Sequence, residues 1–507
     1  MSQKTNILVI QADQLAANCL GVYGHSLVKT PHIDALAEKA IVFDSAYTNF
    51  PLCAPSRFSM LTGQLASTIE AYDNGAEFPS SLPTINHYLR KLNYQTCLVG
   101  KMHFVGADQL HGFEERLTTD LYPADFGWTG DWTEAKPEHS NDASTFTKAG
   151  ICLRNSQIEY DDEVCHRAKR KIYELARGND ERPFFLFTSF THPHDPFQAR
   201  PQHWNLYHPD DILEPTIAAD QDAMDPYSKR LAVQYRLWDN QPDKNQIRNA
   251  RHGYYGSISY FDDLVGTLLQ TLKECNLYDD TVIIITTDHG EMLGEHGLWY
   301  KKSFFEESCR VPLIISSPRF KSKRVKANVS LVDLLPTCLD IATNGHSPAT
   351  VEPIDGNSLW SFLVNSDTNW SNPVYSENLA EGSTTPILMV KQDHFKYIHS
   401  DVDPSQLFNL EDDPHECHNL IDDPRYADRK SQLQNLVNKN WDVEALKDRI
   451  LLSQSRRLFL RSIGASEMAG LWEYVPQDQV EKFCLRSDRT YGQWAYSDIL
   501  DLHIPEQ

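Results

Sequence analysis

Four apolar runs in this sequence end on ionisable side chains. Asp13 follows Asn6–Gln11 (NILVIQ), and Lys101 and His103 follow Tyr94–Gly100 (YQTCLVG). His192 and His194 follow Phe184–Phe190 (FFLFTSF), and Asp288 and His289 follow Thr281–Thr287 (TVIIITT). Continuous apolar runs of this length read as strands buried on both faces of a parallel sheet. Ligands of such sheets sit at the carboxyl ends of the strands, so these residues mark a candidate active site. Cys53 stands apart, in Cys53-Ala54-Pro55-Ser56-Arg57. Its bland reading is a buried thiol before a Pro-initiated helix. Its chemical reading is a nucleophile at a helix N-terminus, where backbone N–H groups stabilise an anion.

The elements between these positions alternate. Pro31–Ala40 starts with Pro at a helical N1 position and has helical spacing. Ile41–Ala46 and Val311–Ser316 read as further strands, and Leu82–Leu92, Glu159–Arg177 and Ala250–Cys275 as helices. Strands alternating with helices over about 340 residues predict an α/β fold with a large, doubly wound, mostly parallel sheet. Leu110–Asn155 and Ala199–Asn249 lack a period and read as a long functional loop and an insertion. Beyond residue 368 the texture changes. Pro373–Ser376, Pro386–Lys391 and Lys396–Ser400 read as antiparallel strands, and Pro424–Trp441 as a helix. The expected division is a catalytic domain over 1–367, a smaller α+β subdomain over 368–449 and a tail over 450–507.

The chain has 507 residues, 47 Lys+Arg against 70 Asp+Glu, and a net charge of −23. That surface repels phosphate backbones and anionic lipid, so neither nucleic acid nor a membrane is expected as a partner. The ten cysteines form no C-x-x-C pair, which argues against a zinc knuckle or redox pair and suits reduced thiols. The opening MSQKTNILVIQAD reads as a strand rather than a leader peptide, and no run approaches the roughly 20 apolar residues of a membrane span. A cytoplasmic protein is expected.

Around Cys53 the sequence PLCAPSRFSMLTGQ resembles the type I sulfatases of the alkaline phosphatase superfamily. GKMHF (Gly100–Phe104), the run Thr287–Leu313 and QLFNLEDDPHECHNL (Gln406–Leu420) resemble further signatures of that family, in the same order. The resemblance implies an alkaline phosphatase-like fold and oxidation of Cys53 to formylglycine, whose hydrated aldehyde attacks sulfur. A sulfate ester shields a weakly electrophilic sulfur with anionic oxygen. Its cleavage needs a divalent cation, positive charge on the oxyanion and an acid for the leaving oxygen. The implied metal ligands are Asp13, residue 53, Asp288 and His289, and oxygen donors suit Ca²⁺, with Mn²⁺ or Mg²⁺ as alternatives. Where the commonest sulfatases carry two acids and an Asp-Asn pair, this chain has Asp13-Gln14 and Asp288-His289. An imidazole shifts the preference towards softer ions. Arg57 would hold the geometry of residue 53, and Lys101 and Lys301 (with Lys302 the rival) would bind sulfate. His103 would act on the hydrated aldehyde, and His194 (with His192 the alternative) on the leaving oxygen.

Tyr72–Thr84, Gly100–Trp132, Glu159–Val164 and Glu377–Ser383 resemble the choline-sulfatase branch. That resemblance implies a quaternary ammonium pocket, held by a ring face and carboxylates. The resemblance implies Trp128 as the ring, Glu381 and Asp161 (with Asp162 adjacent) as the acids, and Asn74 as a polar contact near the sulfate. Two parts depart from the branch: Glu138-His139-Ser140-Asn141 replaces a Tyr-His-Asn run, and the tail RTYGQWAYSDILD lacks a clean counterpart of an acid-bearing motif. Expected partners are a small sulfate ester, a formylglycine-installing enzyme and further copies of this chain. The alternatives are a sulfatase for another ester such as a sulfated saccharide, a phosphonate or phosphate ester hydrolase, and a metal-bearing binding protein.

Overall fold

A computed structural model of the chain describes residues 5–133, 143–239, 241–364, 370–380 and 382–464. Its centre is an eight-stranded sheet. In chain order the strands are β1 (Asn6–Ala12), β2 (Ile41–Tyr47), β3 (Gln95–Gly100), β4 (Glu115–Arg116), β5 (Phe184–Ser189), β6 (Thr281–Thr287), β7 (Arg310–Ser316) and β8 (Lys323–Ser330). They lie side by side in the order β8-β2-β7-β6-β1-β5-β3-β4. All neighbours are parallel except β7, which runs against both β2 and β6. The expected mostly parallel sheet is present. The direction of β7 was not readable, because a strand covered on both faces is apolar whichever way it runs.

Side chains alternate across these strands, and both faces are covered. Leu8, Ile10, Leu186, Ile283 and Ile285 pack on one side, against the helices Ser156–Arg177 and Lys244–Glu274. Ile7, Val9, Phe185, Phe187, Val282 and Ile284 pack on the other, with Phe58 and Leu61 of the helix Cys53–Thr62. That arrangement explains why these strands are buried at nearly every position, with apolar residues on both faces. The end of β3 comes very close to β5: Gly100 has φ +109°, and a Cβ there would lie 1.9 Å from the Ser189 carbonyl oxygen. Only glycine allows Lys101 to leave the sheet at that point.

A separate four-stranded antiparallel sheet follows: β9 (Val374–Asn378), β10 (Ile387–Gln392), β11 (Phe395–Ser400) and β12 (Gln406–Asn409). The helix Ala427–Asn440 covers it with Leu433 and Val437. The next helix, Val443–Gly464, runs without a break through residue 450, where the tail was expected to begin. β8 and the helix Leu334–Thr343 are elements the sequence reading did not identify. Among the described residues no helix is long and apolar enough to cross a membrane, and the described cysteines are free thiols.

Candidate active site

Cys53 opens the helix Cys53–Thr62, whose ten residues are all buried. Thr48 and Ser56 fix the turn: their hydroxyl oxygens are 2.9 Å apart, and Ser56 Oγ donates to the Asp288 carbonyl at 2.7 Å. The Ala54 amide, one of the helix's unpaired N-terminal donors, donates to Asn74 Oδ1 at 3.0 Å. Asn74 is therefore held against the start of the helix that Cys53 opens.

Arg57, one turn further on, ties the strand ends together. Its Nε donates to Asp288 Oδ2 (2.8 Å) and its Nη2 to Asp13 Oδ2 (3.0 Å). Its Nη1 donates to the Lys101 carbonyl (2.8 Å) and to Ser189 Oγ (2.9 Å). β1, β3, β5 and the end of β6 thus meet on one guanidinium, which is wholly buried. Lys101 Nζ forms a second ion pair with Asp13. Burial alone would raise the Asp13 carboxyl, but Lys101, His194 and Arg57 hold it well below the usual carboxylate range.

Asp13, Cys53, Asp288 and His289 each offer a ligand atom, and these atoms lie within 4.8 Å of one another. Three features of this cluster fit a divalent cation. Asp13 Oδ1 is buried with no hydrogen-bond partner. His289 Nδ1 lies 3.0 Å from the Gly290 carbonyl, so as the donor there it leaves the Nε2 lone pair facing Cys53 Sγ, 3.2 Å away. Burial pushes His289 down to about 4, so its imidazole is neutral, as a ligand requires. The Cys53 thiol is itself pushed up by burial, only partly countered by Lys101 and Lys301. A buried, protonated thiol is a poor nucleophile.

Lys301, not Lys302, enters the site. Its Nζ donates to Gln14 Oε1 and lies 2.8 Å from His194 Nε2. Lys302 instead sits over the Tyr235 ring, 5.4 Å from its centre. Burial works against the Lys301 ammonium, but acidic neighbours, Asp195 and Asp13 among them, hold it above the usual lysine value. Burial and Lys301 push His194 well below its usual value. Its Nδ1 lies 2.9 Å from the Asp195 carbonyl. The resting proton therefore sits on Lys301 and is shared with a neutral His194, a pair able to protonate a leaving oxygen.

His103 has φ +60°, a strained conformation for a residue with a Cβ. Asp120 holds it there, accepting from the Met102 and His103 amides at 2.9 and 2.8 Å. The His103 ring stacks on Tyr122 (centroids 4.9 Å apart) and meets the edge of Trp128 at 5.3 Å. Lys101 Nζ lies 3.8 Å from the centre of the Tyr122 ring. An aromatic wall of Tyr122 and Trp128 thus stands beside the cationic end of the site.

The structure brings Asp13, Cys53, Arg57, Asn74, Lys101, Asp288, His289, Lys301 and His194 together, with His103 and Trp128 alongside. Asp161 has a different task. It is wholly buried, and its oxygens accept from the Thr191 and His192 amides and lie 2.6 Å from His192 Nδ1. It braces the loop that carries His194, through Thr191 and His192. Glu381, the 138–141 run and the tail beyond 464 lie outside the described residues. Sequence reasoning missed Asp120, Tyr122, Asp195 and Glu291. Glu291 accepts from Gln14 Nε2 at 2.5 Å and from the Leu293 and Tyr300 amides. Its only signal was its place two residues after His289.

The buried histidine gives a pH prediction. The unfolded chain binds a proton at His289 near 6.5, while the folded chain does not until about 4. Between these values the unfolded state holds more protons, so stability falls as pH falls. Denaturant midpoints of chelator-treated protein should decline from pH 6.5 to pH 4, less steeply for His289→Gln. Identical slopes for the two proteins would contradict the buried, neutral state of His289.

Comparison with known proteins agrees with this geometry. Residues 5–344 match the model of the sulfatase family, and residues 294–442 match that of the N-sulphoglucosamine sulphohydrolase C-terminal region. The chain is 41% identical to a choline-sulfatase of Rhizobium meliloti, over 96% of each protein. It is 28% identical to an arylsulfatase of Clostridium perfringens, over 86% of this chain and 94% of that one. A phosphonate monoester hydrolase of Agrobacterium radiobacter shares the fold, with a TM-score of 0.69 and 24% identity, over 88% of this chain and 96% of that one. The resemblance read from the four motifs therefore holds over 96% of the chain, and the sulfatase family in general implies formylglycine and a divalent metal. The chain belongs to the sulfatase family and is a sulfuric ester hydrolase.

Proposed function

We propose that the chain hydrolyses choline O-sulfate to choline and sulfate, with Ca²⁺ as its ion and Mn²⁺ or Mg²⁺ as alternatives. The observation that carries this is the aromatic wall of Tyr122 and Trp128 beside the Lys101, Lys301 and His194 cluster. The 41% identity to a choline-sulfatase over nearly the full length supports it. Two carboxylates favour a hard ion, and His289 keeps Mn²⁺ open.

When present, formylglycine at residue 53 supplies an oxygen nucleophile, and the ion supplies Lewis-acid charge. The chain's own residues do the rest. Lys101 and Lys301 receive the sulfate oxygens as point charges. The Lys301–His194 pair gives a proton to the departing choline oxygen, and His103 takes up a proton at residue 53 as sulfate leaves. Asn74 orients the sulfate end against the helix start. Trp128 presents its ring to the trimethylammonium group, which can donate no ordinary N–H hydrogen bond. We further propose a cytoplasmic homo-oligomer, matured by a formylglycine-installing enzyme. The free thiols support the compartment.

The test is a panel of choline sulfate, an aryl sulfate, sulfated sugars and the phosphate ester of choline. Choline sulfate should have a kcat/KM at least about tenfold above every other member, the scale of roughly one cation–π contact. A higher value for a sulfated sugar or the phosphate ester would overturn the proposal. Trp128→Ala should weaken choline sulfate by about 5- to 30-fold, from a contribution of roughly 1–2 kcal/mol, and barely affect an uncharged sulfate ester. Equal losses on both would remove the ring from substrate binding.

A further inference from the structure

We propose that Arg457, far away on the C-terminal helix Val443–Gly464, is a positioning residue that sets the substrate pocket by clamping two loops together. The inference rests on the choline sulfate reading for its substrate, and on geometry for the clamp itself. Arg457 is buried, and its guanidinium meets the fully buried Asp73 with both prongs: Nη1 to Oδ1 at 2.5 Å and Nη2 to Oδ2 at 2.9 Å. Asp73 directly precedes Asn74, whose side chain caps the Cys53 helix. The same Nη1 donates to Thr129 Oγ1 at 3.2 Å, next to Trp128.

The two loops meet with no slack. Asp73 Oδ1 accepts from the Gly75 amide at 2.9 Å, and Oδ2 from the Gly130 amide at 3.4 Å. A Cβ on Gly75 would lie 2.5 Å from the Thr129 nitrogen and 2.7 Å from the Trp128 carbonyl carbon. One helical turn before Arg457, Gln454 Oε1 accepts from the Trp132 amide at 3.0 Å. Trp132 Nε1 in turn donates to the Ala380 carbonyl at 3.0 Å. One face of the helix thus fixes the distance between Asn74, on the sulfate side, and Trp128, on the side assigned to the ammonium group. A planar fork holds such a distance and direction where a single point charge does not.

The test compares Arg457→Ala and Arg457→Lys with wild type in the full-length, matured enzyme. Arg457→Ala should raise the KM for choline sulfate about tenfold or more and leave kcat on a small aryl sulfate within about threefold. Arg457→Lys should recover part of the KM. Hydrogen exchange of peptides covering 72–76 and 126–132 should quicken in Arg457→Ala, a readout that needs no substrate. Parallel losses of kcat on both esters, or an unchanged KM for choline sulfate in a variant with quickened loops, would overturn the positioning role. Unchanged exchange in those loops would overturn the clamp. If wild type fails to prefer choline sulfate, the substrate reading falls, and the exchange result still decides the clamp.

Discussion

Replacing Cys53 with alanine should lower turnover by about 10⁴-fold or more, the scale seen when a covalent nucleophile is removed, while the fold survives. The loss is expected to be large because the buried groups of the site converge on residue 53. Asp13, Asp288 and His289 surround it, and Asn74 caps its helix. The structural effect is small because the change removes only the tip of a short side chain, the sulfur of the thiol or the oxygen of its oxidised form, at a position 2% exposed. A stability loss of about 1 kcal/mol is expected, in the ordinary range for a buried point change. Paired measurement of kcat and of the denaturant midpoint checks both halves. Activity within tenfold of wild type would remove residue 53 as nucleophile. A collapsed midpoint would mean that the thiol is structural.

Replacing Arg57 should cost both activity and stability. Its guanidinium lies between two buried carboxylates, Asp13 and Asp288, and also holds the Lys101 carbonyl and Ser189. Removing one partner of a buried ion pair leaves an uncompensated charge and costs about 3–5 kcal/mol. Arg57→Ala should therefore lose about that much stability when chelated, together with nearly all activity. A divalent cation should restore part of the stability, because it replaces the missing positive charge between the same two aspartates. Arg57→Lys should fall between, keeping charge but losing the fork. Denaturant midpoints with and without added cation provide the check. A chelated Arg57→Ala within about 1 kcal/mol of wild type would contradict the hub.

The parts of this site that the sequence made legible share one physical cause. Asp13, Lys101, His194 and Asp288 follow runs with apolar residues on both strand faces, because both faces of the sheet are covered. Their ends could be located without knowing how the strands pair. What stayed hidden depends on pairing. β7 is antiparallel, and direction leaves no mark on a strand covered on both sides. β8 (KRVKANVS) sits at the sheet's edge and carries too many charges to read as a strand. Asp161 lies on a helix with the spacing of an acidic stretch, and only the fold shows that backbone amides occupy it. Asp120 serves His103 from 17 residues away, and Arg457 serves Asp73 from 384. No local pattern records such partners. Residue 450 lies inside a helix for a related reason: the helix from Val443 is held by Leu446 and Ile450 in the core, although its surface is polar enough to resemble a tail.

The central claim is that residue 53 acts as an oxidised side chain within a divalent-ion site. Mass spectrometry of the peptide spanning Cys53, taken from a preparation of measured activity, tests it most directly. The account predicts a species about 18 Da lighter than the cysteine form, the difference between CH₂SH and CHO, in proportion to activity across preparations. A fully active preparation carrying only the unmodified thiol would contradict it.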